Sequence, residues 1–219
     1  MCGKDEDMKA VIFDLDGVIC FTDRYHYLAW KEMADEIGVY FDETINNRLR
    51  GVSRMASLEI ILEKASGEYS QKEKEALAEK KNAIYVKLLD RMSISDLSDD
   101  VKRTLEELRK RGYLLAIGSS SKNTKKILAK IGLGDFFDAI SDGTNITRSK
   151  PDPEVFLKAA EMLSVTPQEA LVVEDALAGI DAAVSGGFSS AGIGEAATHE
   201  KVTYRIEKLS DLLGILQGK

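Results

Sequence analysis

Short apolar runs recur along the chain, and most are followed by a segment in which apolar residues return every three or four positions. The runs lie in AVIFDLD, YLLAIGSS, FFDAIS, ALVVED, SSAGIG and TYRIEK. Continuous apolar runs that alternate with amphipathic helices are typical of a parallel sheet with helices on both faces. The pattern therefore predicts an α/β protein built on a parallel β-sheet.

The interval between the first two predicted strands does not follow this rhythm. From about Arg24 to about Met92 the pattern is almost entirely helical, in YHYLAWKEMADEIG, SRMASLEIILEKASG and QKEKEALAEKKNAIYVKLLDRM. A crossover between parallel strands needs only about 10–12 residues, including its helix. The extra length predicts an inserted α-helical cap domain at residues 23–92, with the core formed by residues 1–22 and 93–219.

Composition narrows the environment and the partners of the protein. The 219 residues carry a net charge of −7, so a surface for nucleic acid or for an anionic membrane is not expected. No stretch approaches the roughly 18 apolar residues of a membrane span, and the opening MCGKDEDMKA has no apolar centre for a signal peptide. The two cysteines, Cys2 and Cys20, are too few for a disulfide framework and fit a reducing compartment. We therefore expect a cytoplasmic protein.

Two aspartates, Asp14 and Asp16, directly follow the first apolar run. Residues two apart on a strand point the same way, so the pattern predicts that both carboxylates share one face with Ile12. Two unpaired like charges would repel and lose hydration, which favours a cation or a reactive role here. A calcium-binding loop is disfavoured by Val18, which would occupy its fifth position. A solvated loop without function is the remaining alternative.

Three polar segments are predicted to meet at one edge of the sheet, because each follows the carboxyl end of a parallel strand. They are the Asp14/Asp16 pair, GSSSKN and VVEDALAG. In the last segment, Glu174 and Asp175 end an apolar strand, and an acidic helix N-cap would explain one of these acids but not both. We favour a divalent cation held by these acids together with the first aspartate.

Such a site suits phosphoryl chemistry. One carboxylate can attack phosphorus and form an aspartyl phosphate, while a second moves the proton of a hydroxyl group or of water. Magnesium would offset the repulsion between the carboxylates. The sequence therefore predicts a carboxylate nucleophile, an acid–base partner and a magnesium ion at this edge.

Two further segments could bind an anion. GSSSKN offers hydroxyls and backbone N–H groups at the start of a predicted helix. Ordinary N-capping accounts for Ser121 more readily than for Ser119. Lys150 precedes Pro151 in RSKPDPEVF, which disfavours helix at the lysine and holds it extended. It is either a further anion ligand or a solvated charge.

Together, FDLDGV, SSSKN, SKPDPEVF and VVEDALAG resemble, in order and in spacing, the four motifs of the haloacid dehalogenase superfamily. The segments RYHYLAWKEMADEIG, RGVSRMASLEIIL and EKKNAIYVKLL are similar to cap segments of the β-phosphoglucomutase branch of that superfamily. The resemblance implies a Rossmann-like core with a helical cap and dependence on Mg²⁺. It also implies interconversion of β-D-glucose 1-phosphate and glucose 6-phosphate through β-glucose 1,6-bisphosphate.

The resemblance further implies roles for the residues that match the core motifs. Asp14 would be the nucleophile and Asp16 the general acid and base. Magnesium would be bound by Asp14, the carbonyl of Asp16, Glu174 and Asp175. The residues that would bind the transferring phosphoryl group or lie near it are Ser119, Ser121, Lys122, Asn123 and Lys150.

In the predicted cap, Arg54 matches the residue that grips the second phosphate of the sugar in that branch. The other cap and hinge residues that would face the substrate are Thr22, His26, Trp30, Gly51, Val52, Ser53, Lys81 and Asn82. Two alternatives stay open, because Trp30 would also suit a hydrophobic core and the EKK segment ending at Lys81 a solvated helix face. Cys20 and Phe21 stand where the related pattern has Thr-Asp, beside the hinge.

The function predicted on this basis is that of a phosphosugar mutase that acts, as a monomer, on a small phosphorylated sugar. A phosphatase of the same superfamily is the nearest alternative, since water could replace the sugar as the phosphoryl acceptor. GVSR together with His26 favours the mutase, and a closing cap could exclude water from the phosphoenzyme. A non-catalytic phosphosugar-binding protein would be expected to lack Asp14 or Asp16, and both are present.

Overall fold

The chain divides into two compact units. The computed structural model describes residues 8–49 and 53–217. One unit consists of Met1–Phe21 with Ser93–Lys219, and the other of Thr22–Met92. We call the first the core unit and the second the helical unit.

The core unit is built on a parallel sheet. In the part of the chain that the structure describes, its six strands are β1 (Ala10–Phe13), β2 (Leu114–Gly118), β3 (Ala139–Ser141), β4 (Ala170–Glu174), β5 (Ser189–Gly192) and β6 (Tyr204–Arg205). Their order across the sheet is β3-β2-β1-β4-β5-β6, and all neighbouring pairs are parallel. This is the strand order of the Rossmann fold. Each strand lies within one of the six apolar runs, so the α/β prediction is confirmed.

Both units contain helices. They are α1 (Asp23–Glu36), α2 (Glu43–Asn47), α3 (Arg54–Leu62), α4 (Gln71–Leu88), α5 (Asp99–Lys110), α6 (Thr124–Lys130), α7 (Glu154–Met162), α8 (Leu177–Ser185) and α9 (Leu212–Ile215). Short 3₁₀ turns lie at Leu89–Arg91, Ile94–Asp96, Pro167–Glu169, Gly194–Thr198 and Leu209–Asp211. None of the helices within residues 8–49 and 53–217 combines the length and the apolar character needed to cross a membrane.

Close packing of α7 on the sheet depends on one small residue. On one face of the sheet, Ile12 and Val172 belong to a buried cluster with Phe156 of α7 and Phe188. A Cβ atom at Gly118 would lie only 2.6 Å from the ring of Phe156. Glycine at the end of β2 therefore allows α7 to approach the sheet, and this helix begins next to the loop that carries Lys150.

The centre of the sheet defines where a ligand would bind. The chain places β2 and β3 on one side of β1 and then crosses to β4 on the other side. In open parallel sheets, ligands bind outside the carboxyl ends of the strands at this reversal. Asp14 follows β1, and its backbone N–H donates to the carbonyl of Val173, 2.9 Å away. Because β4 ends at Glu174, acids from both central strands meet at this edge.

The expected strand alternation stops before Asp16. The strand ends at Phe13, a bend follows at Leu15, and Asp16 forms an isolated bridge with Cys20. The strand alternation that predicted a common face for Asp14 and Asp16 therefore does not extend to these residues, because both follow the end of β1. The turn after β1, rather than the strand, positions the second aspartate.

The helical unit has a hydrophobic core of its own. This core includes Trp30 and Met33 of α1, Phe41, and Leu58 and Ile61 of α3, all of them buried. The apolar residues of these helices recur every three to four positions, which brings them to one face of each helix. Trp30 therefore belongs to the hydrophobic core of this unit, as one of the two alternatives expected. Its ring also contacts the ammonium of Lys81.

Candidate active site

Three carboxylates converge at the carboxyl edge of β1 and β4. Asp14, Glu174 and Asp175 each place an oxygen within 4.8 Å of the others. The first two side chains are nearly inaccessible to solvent, with residues 7% and 1% exposed. We call this group the acidic cluster. Three acids so close together and so poorly solvated need positive charge nearby.

Lys150 supplies part of that charge. Its ammonium donates to Asp14 Oδ1 at 2.5 Å and to Glu174 Oε2 at 2.9 Å, and its side chain is only 10% exposed. The ammonium also lies 4.7 Å from the centre of the Phe156 ring. Of the two alternatives for Lys150, a solvated charge is excluded by this burial and pairing.

The pKa values reflect the crowding of negative charge. Burial raises the pKa of Asp175, and the charges of Asp14 and Asp16 raise it further, to about 7. Burial likewise raises the pKa of Glu174. Burial alone would lower the pKa of Lys150, but the charges of Asp14 and Glu174 outweigh it and raise the pKa. Lys150 therefore stays charged. A metal cation would bind best when Glu174 and Asp175 are both deprotonated.

The acidic cluster fits a magnesium ion by the chemistry of its donors. Its ligands are carboxylate oxygens, which Mg²⁺ prefers. One ammonium does not neutralise three carboxylates, so a divalent cation would relieve the remaining repulsion. The carboxylate of Asp16 is not one of the three clustered groups, and the family resemblance implies a contact from its backbone carbonyl instead.

Two glycines leave space for the carboxylates of Glu174 and Asp175. A Cβ atom at Gly179 of α8 would lie 2.0 Å from the carboxyl carbon of Glu174. A Cβ atom at Gly17 would lie 2.1 Å from Asp175 Oδ2, and Gly17 also has a φ of +87°, a conformation that side chains disfavour. Both carboxylates are therefore seated directly against backbone.

The serines after β2 form a chain of hydrogen bonds. Ser119 is buried, and its Oγ accepts from the backbone N–H of Ser121 at 3.2 Å. Ser121 Oγ in turn accepts from the N–H of Asn123, also at 3.2 Å. Asn123 occupies the N-cap position of α6 but makes no capping hydrogen bond with its side chain. Lys122 is exposed. The structure thus places all four residues directly after β2, at the edge that carries the acidic cluster.

The turn that contains Asp16 encloses an inert thiol. Cys20 is fully buried, and burial raises its pKa, with the charges of Asp16 and Asp14 adding to the effect. The thiol is therefore neutral and unreactive near neutral pH. Phe21, the next residue, is 70% exposed.

The helical unit contains a second cationic centre. Lys81 of α4 is buried, and its ammonium lies 4.7 Å from the ring centres of both Trp30 and Tyr85. It lies 2.8 Å from Nδ1 of His26, whose ring stacks on Tyr85 with the centres 4.0 Å apart. Because an ammonium can only donate, Nδ1 is the acceptor. A solvated helix face, the other alternative for Lys81, is excluded.

His26 is held in its neutral form. Burial lowers its pKa well below the usual 6.5, and the charges of Lys81 and Arg54 lower it further. Tyr85 also donates its hydroxyl to Thr22 Oγ1 at 3.1 Å. The aromatic and polar groups around the lysine therefore connect the start of α1 to the second half of α4.

Arg54 lies at the start of α3. Its guanidinium donates to Asn82 Oδ1 at 2.8 Å, and the Oγ of Ser53 caps the helix by accepting from the N–H of Ala56 at 3.3 Å. Gly51 and Val52 lie outside the described residues. Of the predicted cap residues, the structure thus brings Arg54 together with Asn82, and Lys81 together with His26 and Trp30.

Comparison with known proteins identifies the family of this chain. Residues 8–187 match the family model described as a haloacid dehalogenase-like hydrolase. The chain belongs to this family.

Three relatives of this haloacid dehalogenase-like protein are similar over most of their length. It is 42% identical to a β-phosphoglucomutase of Bacillus subtilis, over 94% of this chain and 92% of the relative. A crystal structure of β-phosphoglucomutase from Clostridium difficile superimposes with a TM-score of 0.84 at 38% identity, covering 94% of this chain and 93% of the other. A phosphorylated carbohydrates phosphatase of Thermotoga maritima is 30% identical, over 83% of this chain and 82% of the relative.

Sequence reasoning missed several residues that shape the site of this haloacid dehalogenase-like protein. They are Gly17, Gly179 and Tyr85. Gly17 directly follows the aspartate pair and Gly179 lies one helical turn after the second acidic pair, so each offered a signal for close backbone approach. Tyr85 offered no comparable signal, because an aromatic residue at helical spacing usually marks a hydrophobic core.

Magnesium affinity is expected to rise with pH. Below the Asp175 pKa of about 7, the ion must displace a proton, so affinity should weaken by about tenfold per pH unit for one displaced proton. The folded protein without metal binds more protons than the unfolded chain, so its stability should fall as pH rises from about 4 to 7. Magnesium should remove that loss.

Thermal unfolding with EDTA and with MgCl₂, measured between pH 5 and pH 8, checks this expectation. The gap between the two melting temperatures should widen as pH rises, and Asp175→Asn should flatten the trend. A gap of constant size across this range would show that metal binding is not coupled to a proton on these acids.

Proposed function

We propose that the chain is a phosphosugar mutase that interconverts β-D-glucose 1-phosphate and glucose 6-phosphate through an aspartyl phosphate and β-glucose 1,6-bisphosphate. The observation that carries the proposal is that each unit holds its own cationic centre. Lys150 lies beside the reactive acids of the core unit, and Lys81 and Arg54 lie in the helical unit. A sugar bisphosphate has two phosphates to bind, whereas a simple phosphatase substrate has one.

In the proposed reaction, the phosphoryl group starts on Asp14. Asp16 accepts the proton of the 6-hydroxyl of β-D-glucose 1-phosphate, and that oxygen attacks phosphorus, which breaks the bond to Asp14 and forms the bisphosphate. After the bisphosphate has turned round, Asp14 attacks the 1-phosphate, and Asp16 gives its proton to the departing sugar oxygen. This step releases glucose 6-phosphate and restores the aspartyl phosphate. Lys150 holds the phosphoryl oxygens, and the hydroxyl and backbone donors after β2 provide further hydrogen bonds.

Magnesium would be held by Asp14, Glu174, Asp175 and the carbonyl of Asp16. When bound, it would offset the negative charge shared by the acids and the phosphoryl group. The helical unit would act as a cap that excludes water until the sugar hydroxyl attacks the phosphoenzyme. We further propose that the protein works as a monomer in the cytoplasm, with a small phosphosugar as its partner and with no nucleic acid or membrane.

A phosphatase that acts on a small phosphorylated sugar is the second candidate. It is favoured by the 30% identity to the Thermotoga maritima phosphatase, and it needs the same acids with water as the acceptor. To separate the two, the protein is incubated with magnesium, β-glucose 1-phosphate and a trace of the bisphosphate. Glucose 6-phosphate without free phosphate supports the mutase, and free phosphate as the main product excludes it.

Arg54→Ala should distinguish the two activities within one protein. If Arg54 holds the phosphate that is not reacting, its loss should lower glucose 6-phosphate formation by about 10²-fold or more, because a charged group would then bind without its partner. Phosphorylation of Asp14 by acetyl phosphate should continue, since that donor has no second phosphate. Both rates are measured on the same preparation.

Arg48→Ala is the matched control. Arg48 lies in the same unit and forms a bidentate pair with Glu63 at 2.8 and 2.9 Å, but its side chain is 48% exposed. Such surface pairs contribute about 0–1 kcal/mol, so this variant should keep its mutase activity. Unchanged mutase kinetics in Arg54→Ala would remove Arg54 from the site and favour the phosphatase. Equal loss of both reactions would indicate a folding or metal defect.

A further inference from the structure

The carboxylate of Glu154 makes most of the hydrogen bonds that fasten the loop that carries Lys150. Glu154, the first residue of α7, accepts from the backbone N–H of Thr147 at 3.0 and 3.1 Å and from its hydroxyl at 2.9 Å. It also accepts from the N–H of Arg148 at 2.8 Å. Its side chain is 11% exposed. The two ends of the segment around Lys150 are therefore joined through this side chain, and the ion pair of Arg148 with Asp152 at 3.0 Å spans the same segment.

Other charges strengthen this closure. Lys158 lies 3.2 Å from Glu154 Oε1, and Asp152 Oδ1 accepts from the backbone N–H of Glu154 at 3.0 Å. Burial raises the pKa of Glu154, but the hydrogen bonds from Thr147 and Arg148 outweigh burial and lower the pKa to about 2. Glu154 is therefore ionised at any pH at which the protein would work, and charged acceptors form the stronger hydrogen bonds.

The loop places the side chain of Lys150 at the acidic cluster. Lys150 lies between the fastened residues and reaches both Asp14 and Glu174. A lysine side chain has four rotatable bonds, so its ammonium stays at one place only when its backbone and surroundings are fixed. Phe156, two residues after Glu154 on the same helix, lies under that ammonium. The start of α7 thus fixes both the backbone and the ring that Lys150 contacts.

We propose that Glu154 is a positioning residue for the reaction: by closing the loop from Thr147 to the start of α7, it fixes the Lys150 ammonium between Asp14 and Glu174. The inference rests on the proposed function for the role of Lys150 in binding the phosphoryl group. The position of Lys150 itself can be measured without any substrate.

Glu169 offers a closely matched control. Its carboxylate accepts from the backbone N–H of Thr166 at 2.9 Å and from the Thr166 hydroxyl at 3.0 Å. Hydrogen bonds from Lys9 and Thr166 lower its pKa to about 2 as well. Glu169 immediately precedes β4, so it lies at the amino edge of the sheet, opposite the acidic cluster. Loss of a similar hydrogen-bonding carboxylate can thus be compared at the two edges.

The test compares Glu154→Gln with Glu169→Gln. A glutamine has one oxygen acceptor and adds an NH₂ donor, so it cannot accept all the donors of the Thr147 loop. Both variants should lose stability to a similar extent. Only Glu154→Gln should lower kcat at saturating substrate, by about 10- to 100-fold, as expected for a residue that orients a functional group. KM should change less than kcat.

A second measurement reads the position of Lys150 directly. Limiting acetic anhydride followed by peptide mass spectrometry gives the acetylation rate of Lys150 in the resting protein. That rate should rise several-fold in Glu154→Gln and stay unchanged in Glu169→Gln. Thr147→Val, which removes only the hydroxyl donor, should cause a smaller change in the same direction and serves if Glu154→Gln does not fold.

The outcomes separate the two proposals. If the wild-type protein shows no mutase activity, the proposed function fails, while the acetylation rates still test the role of Glu154. If Glu154→Gln and Glu169→Gln give the same kcat or the same Lys150 acetylation rate, Glu154 does not position Lys150 and the inference is overturned.

Discussion

Asp14→Asn is expected to abolish mutase turnover while leaving a folded protein. The substitution removes the anionic oxygen that would attack phosphorus, and loss of a covalent nucleophile costs on the order of 10⁴-fold or more in kcat. Folding should survive because Lys150 keeps its contact with Glu174 at 2.9 Å. The change also removes one of three mutually repelling carboxylates, so the metal-free variant should melt no lower than the wild type.

Asp16→Asn is the informative companion to this variant. It makes the same chemical change two residues along the chain but leaves Asp14 intact. Because acetate leaves without needing a proton, radiolabelled acetyl phosphate should still label Asp16→Asn but not Asp14→Asn. Transfer to and from sugar hydroxyls should slow by about 10²–10⁴-fold in Asp16→Asn. Substantial turnover in a well-folded Asp14→Asn protein would exclude covalent catalysis at this position.

Gly179→Ala is expected to lower both catalysis and metal binding strongly, although it adds only one methyl group. The new Cβ would lie 2.0 Å from the carboxyl carbon of Glu174 and 2.4 Å from its Oε1. Glu174 is 1% exposed, so its carboxylate can escape the clash only by leaving the place where it meets Lys150 and the other acids. We expect kcat and magnesium affinity each to fall by about 100-fold, the upper end of the effect of disturbing groups that orient metal ligands.

Gly214→Ala controls for the general effect of replacing a helical glycine. Gly214 is an exposed residue of α9, and a Cβ atom there would meet nothing within 4 Å. That variant should gain about 0.5–1 kcal/mol of stability, because alanine is the better helix former, with no change in kcat. Kinetics, a magnesium titration and circular dichroism on both variants check the expectation. A fully active Gly179→Ala would mean that Glu174 has no fixed position in the reaction.

The central strands β1 and β4 were predictable because they are buried on both faces. Ala10–Phe13 is fully inaccessible to solvent, so its sequence is a continuous apolar run that indicates a buried strand. The reversal of strand order at β1 and β4 brings Asp14 beside Glu174, and an edge shared by parallel strands was enough to predict that meeting. α2 at Glu43–Asn47 was not predicted, because five residues are too few to show a helical period.

Contacts that depend on distant side chains could not be predicted. Nothing near Lys150 in the sequence shows that its ammonium ends between two acids from other strands. The same is true of Lys81, whose burial comes from aromatic residues on α1 and on its own helix. Strand alternation failed at Asp16 because the chain turns after Phe13, and no periodicity extends through a turn.

The central place of β1 in the sheet also constrains how a nascent chain can fold. Its neighbours are β2 and β4, with Ala10 opposite Leu114 on one side and Ala170 on the other. The strand is thus synthesised before both of its partners, while Thr22–Met92 can complete its own contacts much earlier. Pairings this distant in sequence give a high contact order and slow folding. Until β4 leaves the ribosome, the apolar strand that precedes Asp14 stays unpaired on at least one side, where chaperones would bind and aggregation would begin.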